Sequence, residues 1–317
     1  MGGALDPAVA TGRNLVRAAL ADLGPGSRLV IGVSGGADSL ALAAVTGFVA
    51  DRASYEVTAV IVDHQLQPGS AAVAAVAAEQ IHELGMEAEI IAVDVGRHGG
   101  PEAAARRARH EALRRSMPDA VLLGHTLDDQ AETVLLGLGR GSGPRSIAGM
   151  SPADGITRRP LLALRRVDTE RICRAHGLSW WNDPHNADPA YRRSRIRTEL
   201  MPVLEDVLGG GVAEALARTA DQVRADGAWL DELAAAVEAP LDVPTLLALP
   251  PAVRSRTLRR TALQAGADGS ALTSTHLAEI DRLVTSWHGQ RRIELPGGLA
   301  CVRLGDSLSY VRTPVAG

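Results

Sequence analysis

Two short runs hold residue types that could do chemistry at spacings that chemistry needs. The first is Ser34-Gly35-Gly36-Ala37-Asp38-Ser39, which follows the apolar run Leu29 to Val33 and precedes a helical stretch, Leu40 to Val49. A strand, paired glycines and a helix start make a phosphate cradle. The glycines let the backbone approach an oxyanion, and the first helical turn offers unpaired N–H groups at a positive dipole end. Ser34 and Ser39 add hydroxyl donors. Asp38 is the odd member, because a carboxylate beside phosphate repels it unless Mg²⁺ lies between them. The bland alternative is a capped strand-to-helix turn, and the joint presence of strand, glycine pair, acid and hydroxyls favours the phosphate site.

The second run is Gly124-His125-Thr126-Leu127-Asp128-Asp129-Gln130-Ala131-Glu132-Thr133. Asp128 and Glu132 are four apart and share a helix face, with Asp129 and Thr133 as the adjacent pair. His125 precedes them at a strand tip. Clustered carboxylates either hold Mg²⁺ or bind and deprotonate a cationic amine, although an acidic first turn also suits a helix dipole. Asp63 ends another apolar run. It could accept from a ribose hydroxyl or an adenine amino group, or merely cap the turn beyond its strand.

These residues need a frame. Leu29 to Val33, Val57 to Asp63, Ala88 to Val95 and Ala120 to Thr126 read as apolar strands. Helical stretches Leu40 to Val49, Ala71 to Leu84, Pro101 to Arg115 and Asp128 to Leu138 alternate with them. That order predicts an α/β fold with a doubly wound parallel sheet, whose ligands sit beyond the carboxyl ends of its strands. From Gly139 to Arg197 the texture changes to Gly, Pro and Arg. Twelve arginines (140, 145, 158, 159, 165, 166, 171, 174, 192, 193, 195 and 197) meet five acids (Asp154, Asp168, Glu170, Asp183 and Asp188), a local balance of +7. In a chain of net charge −4 this concentration favours a phosphate-facing patch over a solvated surface. Gly209-Gly210-Gly211 reads as a linker. The expected domains are therefore 1–208, catalytic, with its Arg-rich segment 139–200, and 209–317, smaller and mainly helical. The latter has helices at Val212 to Val237 and Pro251 to Gln264, then a short antiparallel unit from Arg291 to Arg312, with turns at Pro296-Gly297-Gly298 and Gly305-Asp306.

Composition removes several alternatives. No apolar run among the 317 residues approaches a membrane span of about 20, and the N-terminus lacks a signal-peptide pattern. Cys173 and Cys301 are the only cysteines and are unpaired in sequence, which disfavours disulfides or a cysteine-based metal cluster and makes a reducing cytoplasm the default. All 33 basic residues are Arg. A Walker loop, which needs a Lys, is excluded.

The first run resembles the SGGxDS signature of the PP-loop ATP pyrophosphatases, which cleave ATP between its α and β phosphates. With the second run the resemblance narrows to the tRNA(Ile)-lysidine synthase family. Further stretches of that pattern follow in order: Asp63-His64-Gln65-Leu66 with Pro68-Gly69-Ser70, Glu102 with Ala105-Arg106, Arg140-Gly141-Ser142-Gly143, Arg159-Pro160-Leu161-Leu162, and Asn182-Asp183-Pro184-His185-Asn186-Ala187-Asp188. It continues through Tyr191, Arg193, Ile196 and Arg197 to Leu200-Met201-Pro202. Gln65, Gln67 and Ser194 depart from it, and Ser194 puts one RNA contact in doubt. Beyond Gly210 only Arg292-Ile293-Glu294-Leu295-Pro296-Gly297-Gly298 looks familiar, and the additional C-terminal domain of longer members is expected to be absent.

The resemblance implies that ATP adenylates the C2 oxygen of the wobble cytidine in tRNA(Ile) with anticodon CAU, and that the ε-amine of free lysine then displaces AMP. It places ATP at Ser34, Gly35, Gly36, Ala37, Asp38, Ser39 and Asp63, with Mg²⁺ on Asp38. Asp129 and Glu132, with Asp128, would hold and prepare the lysine amine, and His125 would sit near the adenylated base. Arg140, Arg159, Arg193 and Arg197 would contact tRNA or phosphate. Trp180 and Trp181 are either core residues or stacking platforms for a displaced base. An oligomer is compatible with all of this. The rivals are a PP-loop tRNA thiolase, for which neither cysteine is suitably placed, and a non-catalytic ATP-binding protein.

Overall fold

The computed structural model of the chain describes residues 5–65, 69–93, 101–141, 143–184, 188–238, 241–269, 271–290 and 292–313. Leu66, Gln67, Pro68, Ser142, His185, Asn186, Ala187, Arg291, positions 94 and 95 and the side chain of Glu102 lie outside the described residues. In chain order the main elements are α1 (Pro7–Ala19), β1 (Arg28–Val33), α2 (Ala37–Ala53), β2 (Glu56–Asp63), α3 (Ser70–Glu83), β3 (Glu87–Ala92), α4 (Pro101–Arg114), β4 (Ala120–Leu123) and α5 (Leu127–Arg140). They continue as α6 (Pro144–Ile147), β5 (Ala153–Asp154), β6 (Thr157–Arg158), α7 (Arg166–Ala175), α8 (Arg192–Arg195), α9 (Met201–Val207) and α10 (Val212–Ala235). The last are β7 (Leu241–Asp242), α11 (Val243–Ala248), α12 (Pro251–Gln264), α13 (Ser274–Thr285), β8 (Arg292–Leu295), β9 (Leu299–Leu304) and β10 (Ser307–Arg312).

Contacts divide the chain into one unit of Met1–Leu136 with Gly149–Arg218 and a second of Gly137–Ala148 with Thr219–Gly317. This differs from a single cut at Gly209. The first turn of α10 packs Ala213 against Leu127 and Ala131 of α5, which carries the first unit past the glycine run.

The first unit is built on a six-stranded sheet of order β3-β2-β1-β4-β6-β5, parallel except for β5. Strand alternation gives β1 two apolar faces. Leu29, Ile31 and Val33 enter the core made with α1, α2, α3 and α7, while Val30 joins Val60, Val121 and Leu123 against Ala112 and Leu113 of α4. Gly32 lets α4 close on the second face, since a Cβ there would lie 3.0 Å from Leu123 and 3.3 Å from Leu113. Each fully buried Leu or Ile contributes about 1.5–3 kcal/mol. Helix α1 lies outside the alternation read from sequence. It starts with Asp6 accepting from Ala8 N at 2.7 Å and Pro7 in its first turn, and buries Val9 and Val16. Because β1 is flanked by β2 and β4, the segments following β1 and β4 emerge side by side at the carboxyl edge.

The second unit holds helices together with a four-stranded antiparallel sheet of order β7-β10-β9-β8. Gly297 (φ +91°) and Gly305 (φ +60°) make the turns on either side of β9. The core joins Leu246, Leu258, Ile280 and Leu283 to Leu299, Cys301 and Leu308. Among the described residues no helix is long and apolar enough to cross a membrane.

Candidate active site

The loop between β1 and α2 has the expected cradle geometry. Gly35 has φ +80°, a conformation that side chains rarely adopt, and a Cβ there would lie 3.3 Å from Val73. Helix α2 starts at Gly36 without a side-chain cap, which leaves its first N–H groups for an anion. Ser39 is buried and works inside the loop, accepting from Ser34 N at 3.1 Å and donating to Gly36 O at 2.9 Å. Ser34 is exposed, 3.3 Å from Ser39 between hydroxyls, and Ala37 packs into the core. Trp181 N donates to Gly35 O at 2.9 Å, tying a distant segment to the loop. Both tryptophans are half-buried. Trp180 packs on the core beneath Arg174, 5.4 Å from the ring centre. Asp63 is buried at the end of β2 and accepts from Gln65 N at 2.9 Å, so it closes the turn beyond its strand.

Strand β4 comes so close to this loop that a Cβ on Gly124 would lie 2.7 Å from the Asp38 carbonyl oxygen. Its tip delivers the acid cluster beside Asp38. Thr126 N and Oγ1 each donate to Asp129 at 2.9 Å, forming the cap of α5. Gln130 clamps the returning chain, donating to Met150 O at 3.0 Å and accepting from Met150 N at 2.7 Å. The acids then meet arginines. Arg166 lies 3.3 Å from Asp38 and 3.1 Å from Asp129. Arg165 lies 3.0 Å from Asp128 and 2.8 Å from Glu214. Arg197 lies 2.7 Å from Glu132 and 3.5 Å from Asp129. Thr169 Oγ1 donates to Asp38 Oδ1 at 2.5 Å, and Arg166 N donates to Asp128 at 2.7 Å.

Compensation within the cluster is uneven. Burial opposes ionisation of Asp129, but Arg166, the Thr126 donors and His125 outweigh it and hold its carboxyl below the usual range. Asp38 and Glu132 stay above that range. Burial raises both, and Arg166 for one and Arg197 for the other only partly offset it, with Asp129 adding repulsion. Each of these guanidiniums also serves Asp129, which limits how far it offsets the burial. Glu132 Oε2 is buried without a hydrogen-bond partner, as is His125 Nδ1. Burial pushes His125 down to about 4, so its imidazole is neutral at pH 7.

The predicted basic residues separate. Arg197 joins the acid cluster. Arg193 reaches Thr133 Oγ1 at 3.5 Å. Arg159 is buried and donates to Ser151 O at 2.7 Å, while its Nε has no partner. Arg140 ends α5, exposed, in the portion of that helix belonging to the second unit. Arg165, Arg166 and Thr169 were not singled out from sequence. The arginine pair directly follows Arg159-Pro160-Leu161-Leu162-Ala163-Leu164, and that adjacency was the available signal. Both cysteines are buried with thiols pushed up to about 12, so neither is a nucleophilic thiolate.

A family model described as a PP-loop domain matches residues 12–204, and one described as a TilS substrate binding domain matches residues 241–308. The chain is 50% identical over 303 residues to a tRNA(Ile)-lysidine synthase of Thermobifida fusca, covering 92% of this chain and 94% of that protein. It is 52% identical over 295 residues to a tRNA(Ile)-lysidine synthase of Streptomyces coelicolor, covering 88% and 84%. Among solved structures it is similar in fold to a U34-tRNA thiolase from Methanococcus maripaludis that holds a 4Fe-4S cluster. The TM-score is 0.57 at 19% identity, covering 68% of this chain and 79% of that one.

Proposed function

The chain belongs to the tRNA(Ile)-lysidine synthase family of ATP-using ligases, and from that premise we propose that it joins the ε-amine of free lysine to C2 of the wobble cytidine of tRNA(Ile) with anticodon CAU. The observation that carries this reading is the pair of incompletely compensated carboxylates, Asp38 and Glu132, flanking Asp129 beside the phosphate loop. Such a site has charge to spare for one more cation. An ammonium group bound there lies next to the nucleotide that activates its target.

The backbone N–H groups at the start of α2, with Ser34, would hold the triphosphate. The cytosine O2 attacks the α-phosphorus and pyrophosphate leaves. His125, neutral and at the tip of β4, would hydrogen-bond the base rather than add charge. Glu132, held high and with Oε2 unpartnered, would take a proton from the lysine ammonium. The amine then forms the bond to C2 while the C2–O bond breaks and AMP departs. Arg166 and Arg197 keep the acids in place during both steps.

The donor chemistry fits Mg²⁺ modestly. Mg²⁺ is often bound by one or two carboxylates plus substrate phosphates. Among the described residues no group of three or more His, Cys, Asp and Glu could hold a metal. Asp38 would therefore act with the phosphates of the nucleotide. When bound, the ion would neutralise charge building on the leaving pyrophosphate. Such an enzyme would work in the cytoplasm, where free lysine and tRNA meet. The buried cysteines oppose the sulfur-transfer reading.

Incubation with Mg-ATP, labelled lysine and a CAU-anticodon tRNA(Ile) should give AMP, pyrophosphate and lysine-labelled tRNA. Equal ATP turnover without lysine, or equal labelling of an unrelated tRNA, would refute the assignment.

A further inference from the structure

The loop between β1 and α2 is pinned from behind by a segment distant in sequence. Trp181 N donates to Gly35 O at 2.9 Å. That segment is itself anchored on two sides. Ser179 N donates to Gln80 Oε1 of α3 at 2.8 Å, and the Trp180 ring packs on the core beneath Arg174. Helix α3 also braces the loop directly, since a Cβ on Gly35 would lie 3.3 Å from Val73 and 3.7 Å from Ala77. Gly35, at φ +80°, is thus gripped between α3 and residues 179–181.

Peptide geometry gives this grip a consequence for binding. In a trans peptide the C=O and the following N–H point to opposite sides of the chain. Gly35 C=O is directed at Trp181, so the Gly36 N–H of the same peptide is directed away from it, at the uncapped start of α2. The neighbouring groups are turned into the loop. Ser34 N donates to Ser39 Oγ at 3.1 Å, and Gly36 O accepts from Ser39 Oγ at 2.9 Å and from Leu40 N at 3.1 Å. Two consecutive glycines would otherwise let this peptide plane turn over, because glycine takes φ of either sign about as readily. A donor fixed before the anion arrives needs no reorganisation when it binds.

We infer that Trp181 is a positioning residue for the phosphate loop: its main-chain N–H holds Gly35 O and so keeps the Gly36 N–H directed at the triphosphate of ATP. The ligand it prepares for is a polyphosphate oxyanion, and the effect belongs to the backbone of residue 181, not to its indole. On this reading the tryptophan pair serves the nucleotide step, Trp180 as an anchor in the core and Trp181 as a main-chain donor, rather than an extruded base. The role rests on the proposed function only in placing the triphosphate against the start of α2.

The test measures equilibrium binding of ATP, pyrophosphate and adenosine to the full chain, with Tm recorded for each variant. Trp181→Pro removes the N–H, Trp181→Ala removes the indole but keeps the N–H, and Gln80→Ala releases the anchor of Ser179. Trp181→Pro should weaken ATP and pyrophosphate about tenfold and leave adenosine within about twofold. Trp181→Ala should bind all three within about twofold of wild type, and Gln80→Ala should weaken pyrophosphate about threefold. Unchanged pyrophosphate affinity in Trp181→Pro would overturn the role. So would an equal loss for adenosine, which marks a general collapse of the site, or an equal loss in Trp181→Ala, which assigns the effect to the indole. If Trp181→Pro does not fold, Gln80→Ala decides, and no phosphate-selective loss there would also overturn the role. If the variants lose phosphate affinity as expected but wild type attaches no lysine, the proposed function fails while the positioning role stands.

Discussion

Opposite charges are distributed unevenly along the carboxyl edge of the large sheet. Asp38, Asp128, Asp129 and Glu132 each touch an arginine within 3.3 Å. Arg106, Arg109 and Arg193, on the same unit, touch no carboxylate among the described residues. Had all these groups paired freely, both sets would be neutral and neither could recruit a ligand. The acid set is instead held in place but left short of positive charge, and the basic set has no carboxylate partner among the described residues.

The comparison is tested most severely at Asp38, which links the phosphate loop to the acid set. Asp38→Ala should cut pyrophosphate release by at least about a hundredfold, measured in a coupled release assay with saturating tRNA. Retention of wild-type release would remove Asp38 from the first step. Next comes Glu132→Gln, which keeps the shape and removes the charge. It should raise the KM for lysine between about tenfold and a hundredfold and leave the KM for ATP near its wild-type value. If lysine dependence stayed the same, the acid set would not be the amine site.

His125 lies between the two sets, and its effect is smaller and depends on pH. Its folded pKa of about 4 lies below the ordinary 6.5, so between those values the unfolded chain binds more protons. Stability contributed by the neutral imidazole is therefore lost as pH falls from 6.5 towards 4. Asp38 and Glu132, held high, act in the opposite sense. Comparison of wild type with His125→Asn isolates the histidine, and the variant should lose less Tm over that window. An equal loss would mean that the histidine is already solvated. The smallest effect is expected from Cys173→Ser with Cys301→Ser. Lysine attachment at saturating substrates should stay within about twofold, with a stability cost of about 1 kcal/mol per site. Loss of activity in a folded double variant would reopen sulfur chemistry.

Much of the frame was readable because strong periodicity and punctuation coincide. Pro251 to Gln264 is the helix α12 to the residue, and the turns at Gly297 and Gly305 fall where glycine was required. The two motifs were also placed correctly at the ends of β1 and β4, since short apolar runs flank them. Helix α1 was not legible, because its apolar residues are few and its cap is only Asp6-Pro7. The ion pairs were even less so. Arg166 and Asp38 are 128 residues apart, and only its place after the Arg159 to Leu164 stretch sets Arg166 apart from most of its eleven companions in the Arg-rich segment. Ser39 shows a related limit. Its hydroxyl type suggested a phosphate donor, while packing turned it inward to close the loop.

Gly124 carries a mechanical consequence. With no side chain between the tip of β4 and the backbone of Asp38, the phosphate loop and the helix proposed to hold the amine would behave as one stiff jaw. Its gap is set by backbone contact rather than by adjustable side chains. In the proposed reaction the distance between activated base and attacking nitrogen would then be a property of the chain's course, not of any rotamer. A single methyl group at position 124 would act as a wedge, spoiling the alignment of both half-reactions while leaving every charged residue in place.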